Sequence, residues 1–264
     1  MKKKVAGLLA LVAVLGLLAG CSKGGSANSL KYIQDKGTIV MGLDDSFPPM
    51  GFRDDAGNLV GYDIDVAQEM AKRMNLELVL QPIDWKAKEM ELDAKNVDLL
   101  WNAYTITEER KEQVLFSNPY MDNFQVVVVL QDSDIQALTD LSGKKVAVQD
   151  GSSAQEALQK DEAVYNSIGQ QLDFKENVSA LLDLENGQVD AVAVDSVVAD
   201  YYLAQKPGVY RILEETLAPE EYGVGFRKTD TEFRDACQKV LDEMKADGTM
   251  ARISNEWFGR DVSK

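Results

Sequence analysis

The residues best suited to chemistry lie in the segment Trp101–Arg110, which follows the short apolar run Val97–Leu100. The apolar run predicts a buried strand. Thr107, followed by acidic residues, predicts the start of a helix. In open α/β sheets, ligands bind at the carboxyl ends of strands, where this segment would lie. Arg110 carries a planar, permanently charged guanidinium, which suits an anion such as a carboxylate.

A second anion-binding position is predicted around Gly151–Glu156. Ser153 with Glu156 three residues later is a capping-box pattern, which predicts that a helix begins there after the strand Val146–Val148. The free N–H groups at such a helix start favour an anion. The sequence leaves one alternative open for the first position, because Arg110 could instead pair with a surface acid such as Glu108 or Glu109.

The elements that must position these residues alternate between strands and helices, which predicts an α/β fold. The run Phe124–Leu130 is apolar without alternation, which is typical of a strand covered on both faces. The predicted strands are 37–42, 76–80, 97–100, 124–130, 146–148, 189–194 and 222–226, and the predicted helices are 64–74, 90–94, 178–184, 197–203, 232–245 and 250–258, with further helices starting at 107 and 153.

Composition excludes several classes of function. The chain has no histidine, which rules out Ser-His-Asp and Cys-His nucleophiles and the H-E-x-x-H zinc site. It contains 28 basic and 44 acidic residues, a formal net charge of −16. A basic surface for nucleic acid is therefore not expected.

The head of the chain has the pattern of an exported protein. Three lysines and an apolar run precede Cys21 in residues 1–21, which predicts a secretory signal peptide. Leu18–Cys21 resembles a bacterial lipobox, and the resemblance implies cleavage before Cys21 and lipid attachment to its sulfur. The small polar residues 22–29 predict a flexible tether. The other cysteine, Cys237, lies at helical apolar spacing and is expected to be buried and unpaired.

Six segments, in order, resemble bacterial extracellular solute-binding proteins of family 3, the polar amino-acid uptake class. Thr105–Arg110 is similar to the signature T-I-T-x-E-R, in which the first Thr or Ser and the Arg hold the α-carboxylate of the ligand. The other five segments are Met41–Met50, Val60–Asp65, Gly143–Ser153, Val189–Asp195 and Asp247–Gly259.

The resemblance implies a two-lobed, type II periplasmic-binding-protein-like α/β fold with two crossing hinge strands near 124–127 and 222–226. Lobe 1 is expected to hold residues 30–122 and 223–264, and lobe 2 residues 123–222. The sequence itself marks no lobe boundary at either crossing.

The resemblance also assigns roles to individual residues. A zwitterion in a buried site needs a partner for each charge. Arg110 and Thr105 are expected at the carboxylate, with the amide at Ser153 from the opposite lobe, and Asp195 at the ammonium. The complete set of expected ligand-binding residues is Asp44, Phe47, Trp85, Ala103, Thr105, Arg110, Ser152, Ser153 and Asp195.

Several of these positions have a structural alternative. Asp195 could be a helix N-cap, and Phe47 and Trp85 could be core aromatics. Ser152 could be a turn residue, and Asp44 could face solvent. Ala103 stands where relatives often carry Gly or Ser, which leaves the side-chain specificity open.

The implied function is capture of a polar or basic amino acid, with cystine possible, by a monomeric lipoprotein outside the membrane. Delivery to the permease subunits of an ABC importer would follow. No catalytic residue, metal or cofactor is expected. The alternatives are an enzyme on the same scaffold, such as a dehydratase, and a ligand-sensing lipoprotein.

Overall fold

A computed structural model describes residues 28–264. The predicted signal peptide, the lipid-attachment residue Cys21 and residues 22–27 of the tether lie outside the described residues. The helices are α1 (Ser29–Lys36), α2 (Tyr62–Arg73), α3 (Lys88–Asp93), α4 (Glu108–Gln113), α5 (Ser153–Lys160), α6 (Glu162–Tyr165), α7 (Asn177–Glu185), α8 (Ser196–Gln205), α9 (Thr231–Ala246) and α10 (Thr249–Phe258).

The strands are β1 (Thr38–Leu43), β2 (Ser46–Phe47), β3 (Gly51–Arg53), β4 (Leu59–Val60), β5 (Glu77–Pro82), β6 (Leu99–Leu100), β7 (Val114–Phe116), β8 (Met121–Leu130), β9 (Lys145–Gln149), β10 (Gln170–Phe174), β11 (Ala191–Asp195), β12 (Tyr210–Ile212), β13 (Ala218–Tyr222) and β14 (Gly225–Arg227). Each predicted helix bound lies within two residues of the observed one.

One sheet has the order β5-β1-β6-β14-β7. Its strand β1 pairs in parallel with β5 and β6, so that Met41 lies opposite Leu80 and Leu99. The chain therefore leaves β1 and β6 at the same edge of the sheet. This places the segment after Leu43 beside the segment that leads to Arg110.

A second sheet has the order β10-β9-β11-β8-β12, with β13 also paired to β8. The predicted two-sided burial of the central strand is confirmed, because Val126–Val129 in β8 are all buried. The edge strands β10 and β12 were not predicted from the sequence. β10 has no buried residue and β12 has one, Tyr210, and Gln170–Phe174 contains only two apolar residues.

The chain passes twice between the two sheets. In the first crossing, β8 runs out of the first lobe into the second, and in the return crossing β13 pairs antiparallel with it, Tyr222 opposite Met121. The prediction of one strand over 222–226 is wrong. Tyr222 pairs in the second sheet whereas Gly225 pairs with Leu100 and Phe116 in the first, so the intervening residues have to pass from one sheet to the other.

The helix α5 starts at Ser153 as predicted, but its N-cap differs from the prediction. Ser152, not Ser153, is the N-cap of α5, and its Oγ accepts a hydrogen bond from the Gln155 amide at 3.1 Å. Ser152 thus has the local structural role that was left open. The side chain of Glu156 is then free to turn toward the other lobe. The predicted N-cap Thr107 is confirmed, since its Oγ1 accepts from the Arg110 amide at 3.1 Å.

Gly61 forms a tight joint between the small sheet β2-β3-β4 and α2. Its φ is +146°, and a Cβ added there would lie 2.2 Å from the carbonyl oxygen of Met50. The joint is closed by amides of the first turn of α2, where Tyr62 donates to Pro49 at 2.9 Å and Asp63 to Met50 at 3.0 Å. Only glycine fits this position without moving the backbone.

Gly61→Ala should therefore lower the free energy of unfolding by more than about 2 kcal/mol, because steric overlap adds to the cost of the backbone conformation. Gly57→Ala is the matched control. It also has a positive φ, +84°, but the added Cβ would meet nothing within 4 Å, so about 1 kcal/mol is expected. Urea denaturation followed by circular dichroism measures both. Equal losses in the two variants would contradict the steric explanation.

Candidate ligand-binding site

The guanidinium of Arg110 lies where the two lobes meet and is only 5% exposed. Its Nη1 donates to the carbonyl of Thr105 at 3.1 Å, and its Nη2 approaches the carbonyl of Gly151 at 3.4 Å. The central carbon lies 5.1 Å from the centre of the Tyr104 ring. Within residues 28–264 its Nε–H has no acceptor, so this buried fork retains a donor for an anion.

The acidic partner of Arg110 comes from the opposite lobe. Nη2 lies 2.9 Å from Oε1 of Glu156 on α5. The expectation that Glu156 closes a capping box is wrong, because Ser152 is the cap and Glu156 faces the cleft. The alternative pairing of Arg110 with Glu108 or Glu109 is also wrong. An ion pair between residues 46 positions apart joins the lobes, which no local pattern predicts.

Thr105 and Ser153 bring the two predicted anion-binding positions together. Thr105 follows β6 in the first lobe, and Ser153 opens α5 in the second. Their hydroxyl oxygens are 3.0 Å apart and both residues are buried. The expected carboxylate residues of the two lobes therefore share one small polar region with Arg110.

Asp195 lies at the end of β11 and is 4% exposed. It occupies the N-cap position of α8, but its side chain makes no capping hydrogen bond. Its Oδ1 instead accepts from the Tyr222 hydroxyl at 2.6 Å and from Nδ2 of Asn123 at 2.8 Å. Burial, followed by the nearby charge of Glu220, raises the pKa of Asp195 to about 7. A cation at this carboxylate would relieve that cost.

Ala103 is held in an uncommon conformation beside the site. Its φ is +51°, and its amide donates to Oδ2 of the fully buried Asp63 at 2.7 Å. The same oxygen accepts from the Tyr120 hydroxyl at 2.9 Å. Burial raises the pKa of Asp63 to about 7 despite these hydrogen bonds. The loop that leads from β6 to Thr105 is thus fixed from beneath by one carboxylate.

Asp44 lies on the loop after β1 and Phe47 in β2, and both are buried. The solvent-exposed alternative for Asp44 is therefore wrong. Asp44 accepts from the amide and the hydroxyl of Ser46 at 2.9 and 2.7 Å, and from Nε2 of Gln149 in the other lobe at 2.6 Å. Burial raises the pKa of Asp44 above its ordinary value. This carboxylate has no cationic partner among residues 28–264.

Trp85 packs edge-on against Tyr104, with ring centres 5.6 Å apart. Above both rings lies Lys88, which the sequence analysis did not single out and which is 3% exposed. Its Nζ donates to the carbonyl of Gly151 at 3.0 Å and lies 3.3 Å from Oε1 of Glu89. Burial, followed by the charge of Arg110, lowers the pKa of Lys88 to about 8. Its sequence context, a surface-like run of charged residues, held no signal of burial.

Three further polar residues of the crossing strands were missed. Glu220 on β13 accepts hydrogen bonds from Gln125 at 2.8 Å and from Asn123 at 3.2 Å, both on β8. Gln125 is fully buried and also donates to Ser153 Oγ at 3.1 Å. The detectable signal was weak: polar residues at alternate positions, 123 and 125, beside the apolar run of β8.

Residues 39–260 match the sequence profile of bacterial extracellular solute-binding proteins, family 3. The chain belongs to this family. The resemblance inferred from the six segments is confirmed by this match, which covers most of the chain.

Two sequence relatives and one solved structure show how far the similarity extends. The L-cystine-binding protein TcyJ of Escherichia coli K12 is 32% identical over 258 residues, covering 96% of this chain and 95% of that protein. The arginine-binding extracellular protein ArtP of Bacillus subtilis is 31% identical over 262 residues, covering 98% of each. A substrate-binding protein of an ABC uptake transporter from Streptococcus pneumoniae, crystallised with bound histidine, has a TM-score of 0.88 and 35% identity, covering 91% of this chain and 100% of that one. The predicted two-lobed type II α/β fold is confirmed.

Over residues 28–264, no helix combines the length and apolarity needed to cross a membrane. The same residues contain no group of three or more His, Cys, Asp or Glu side chains able to hold a metal ion. Cys237 is free and buried as predicted, with its sulfur 3.9 Å from that of Met74. Burial raises the pKa of this thiol, so Cys237 acts as a small apolar residue of the core.

The raised pKa of Asp195 should be visible in stability. The folded state keeps the Asp195 proton up to a pKa of about 7, against an ordinary value of 3.8. Between these values the folded state binds more protons, so its contribution to the free energy of unfolding falls as the pH rises from about 4 to about 7. Asp195→Asn removes this contribution.

Urea denaturation at pH 5 and pH 7.5 tests this expectation. The loss of stability between the two pH values should be smaller in Asp195→Asn than in the unchanged protein. Asp132→Asn, at an exposed position after β8, is the control and should follow the unchanged protein. If Asp195→Asn lost as much stability as the control over the same range, the assignment would be refuted.

Proposed function

We propose that the protein captures a free amino acid between its lobes and delivers it to an ABC importer. The observation that carries the proposal is a polar network between a buried guanidinium and a buried carboxylate. Arg110 donates to the Thr105 carbonyl, and Asp195 is linked through Asn123 and Glu220 to the hydroxyls of Thr105 and Ser153. These groups match the two charges of an α-amino acid and the polar atoms between them. The fit of site chemistry and family supports a binding role rather than catalysis.

A polar or basic ligand fits the charges of the cleft best. Glu156 pairs with Arg110 and Glu89 with Lys88. Among residues 28–264, Asp44, Asp195 and Glu220 have no salt-bridge partner. The ligand's ammonium would pair with Asp195, and an amide or cationic side chain of the ligand would bond to Asp44. Cystine also fits, because its second amino-acid head carries another ammonium.

An acidic ligand fits less well than a basic one, and Lys88 does not change that ranking. Lys88 is a buried cation in the cleft that no pattern in the sequence indicated. However, the ammonium of Lys88 already donates to the carbonyl of Gly151 and pairs with Glu89. A second ligand carboxylate would have to displace those contacts while facing the uncompensated carboxylates on the opposite side.

The two crossings support a division of the chain into two lobes. We infer that residues 30–122 with 223–264 move as one body and residues 123–222 as the other, hinged where β8 and β13 pass between the sheets. Contacts such as Lys86 Nζ to Asp150 Oδ2 at 2.6 Å span the cleft opposite this hinge. Short paired strands suit a hinge, because few dihedrals need to change on closure.

Arg110→Ala should abolish binding of amino acids rather than change their ranking. The substitution leaves the ligand carboxylate without its charged partner in a buried site, a loss of at least about 3 kcal/mol. A thermal-shift screen of the twenty amino acids and cystine identifies the ligand, and calorimetry then gives its affinity for each variant.

Arg252→Ala is the matched control, since Arg252 is an exposed arginine that pairs only with Glu256 on the same helix. It should bind as the unchanged protein does. Retained affinity within about threefold in Arg110→Ala would argue against the carboxylate clamp. A screen in which no amino acid raises the melting temperature would refute the proposed function as a whole.

The lipid anchor is a separate proposal, supported by the lipobox pattern at Leu18–Cys21. Cys21→Ser should release the protein from the membrane fraction and abolish incorporation of labelled palmitate, because the thioether to the lipid can no longer form. Cys237→Ser is the control, since its thiol is buried in the core. Equal membrane retention of the Cys21 variant and the unchanged protein would contradict anchoring at Cys21.

A further inference from the structure

Glu220 is the acidic residue that the two crossing strands bring into the cleft. Its Oε2 accepts hydrogen bonds from four side chains of three different segments. The donors are Gln125 Nε2 at 2.8 Å, Thr105 Oγ1 at 3.0 Å, Asn123 Nδ2 at 3.2 Å and Ser153 Oγ at 3.3 Å. One carboxylate oxygen therefore touches the expected ligand-binding hydroxyls of both lobes. No lysine or arginine among residues 28–264 pairs with it.

Glu220 and Asp195 are neighbours. Both accept from Nδ2 of Asn123, Asp195 at 2.8 Å and Glu220 at 3.2 Å. Their oxygens are therefore at most about 6 Å apart, since both lie within hydrogen-bonding distance of one nitrogen. An ammonium nitrogen about 2.8 Å from each oxygen can bridge a gap of up to about 5.6 Å, close to that upper bound.

A third acceptor lies beside this pair. Gln125 is fully buried, and its Oε1 has no hydrogen-bond partner among the described residues. The orientation of the Gln125 amide is fixed by its donor end, because Nε2 has to face the carboxylate of Glu220. A buried acceptor without a donor is costly. A ligand that brings a donor removes that cost.

The hydroxyl of Thr105 is also oriented by Glu220. Because a carboxylate only accepts, the Thr105 proton points to Glu220 Oε2. Ser153 Oγ, 3.0 Å away, is then the donor in its contact with Thr105 Oγ1, which leaves the second lone pair of Thr105 Oγ1 available to a donor of the ligand. Thr105 thus presents an acceptor to the ligand, which suits an ammonium better than a carboxylate.

We propose that Glu220 binds the α-ammonium of the ligand together with Asp195 and the amide oxygen of Gln125. Three acceptors match the three N–H donors of a primary ammonium. Two carboxylates give this end of the site a selective preference for a ligand with a free α-amino group. This inference rests on the proposed function and names the ammonium-binding residues of that same site.

The test compares pairs of ligands that differ only in the α-amino group. L-Arginine is paired with 5-guanidinopentanoate, and L-histidine with imidazolepropionate. Glu220→Gln should lower the affinity for the amino acid about tenfold or more, because it replaces a charged acceptor. The affinity for the des-amino partner should change less than threefold. Calorimetry measures the tight ligands, and competition against the amino acid measures the weak ones.

Glu221→Gln is the matched control. Glu221 is the next residue on β13, and its carboxylate pairs with Lys264 outside the cleft, so neither affinity should change. If Glu220→Gln lowered the affinities for both members of a pair equally, Glu220 would act on the structure rather than on the ammonium, and the inference would fail. Unchanged affinity for the amino acid would also overturn it. If the unchanged protein bound neither amino acid nor cystine, the proposed function itself would fail, and this inference with it.

Discussion

The burial of Arg110 between the lobes is the constraint on which the rest of the cleft depends. A permanently charged group with 5% exposure needs acceptors on every side. One comes from Thr105 in its own lobe, and two come from Gly151 and Glu156 in the other lobe. Two of its three protein acceptors are therefore present only when the lobes face each other, which makes lobe closure part of the electrostatics of the site.

The crossing strands form the hinge, and they also carry residues at the end of the site that lies opposite Arg110. Asn123 and Gln125 lie on β8, and Glu220 and Tyr222 lie on β13. Asn123 and Tyr222 donate to Asp195, and Asn123 and Gln125 donate to its neighbouring carboxylate, Glu220. Any rotation about these strands moves the acceptors of the proposed ammonium site. Ligand binding and lobe movement are thereby linked through the same backbone segments, without a separate relay.

Several residues, most of them in the segments that resemble the family motifs, support the site from a distance. Asp63 holds the Ala103 amide and Tyr120 beneath the cleft. Farther away, Nη1 of Arg73 donates to Asp247 at 2.7 Å, and Nε1 of Trp257 donates to Asp65 at 2.7 Å. These contacts tie α10 and the segment before it to α2, so the end of the chain packs against the lobe where the described chain begins. Their role is to hold the scaffold that orients the loops.

The sequence alone determined the α/β class, the central strands, most helix bounds and the residues that resemble the carboxylate and ammonium positions. These follow from local signals: apolar periodicity, caps such as Thr107, and short motifs. Tertiary structure decided what the local patterns could not contain. The partner of Arg110 is 46 residues away, and the return crossing splits because Tyr222 and Gly225 pair in different sheets. The burial of Lys88 and the contacts of Glu220 with Thr105 and Ser153 depend on surfaces that meet only when the lobes face each other. A polar residue in the sequence carries no sign of which charges will surround it after folding.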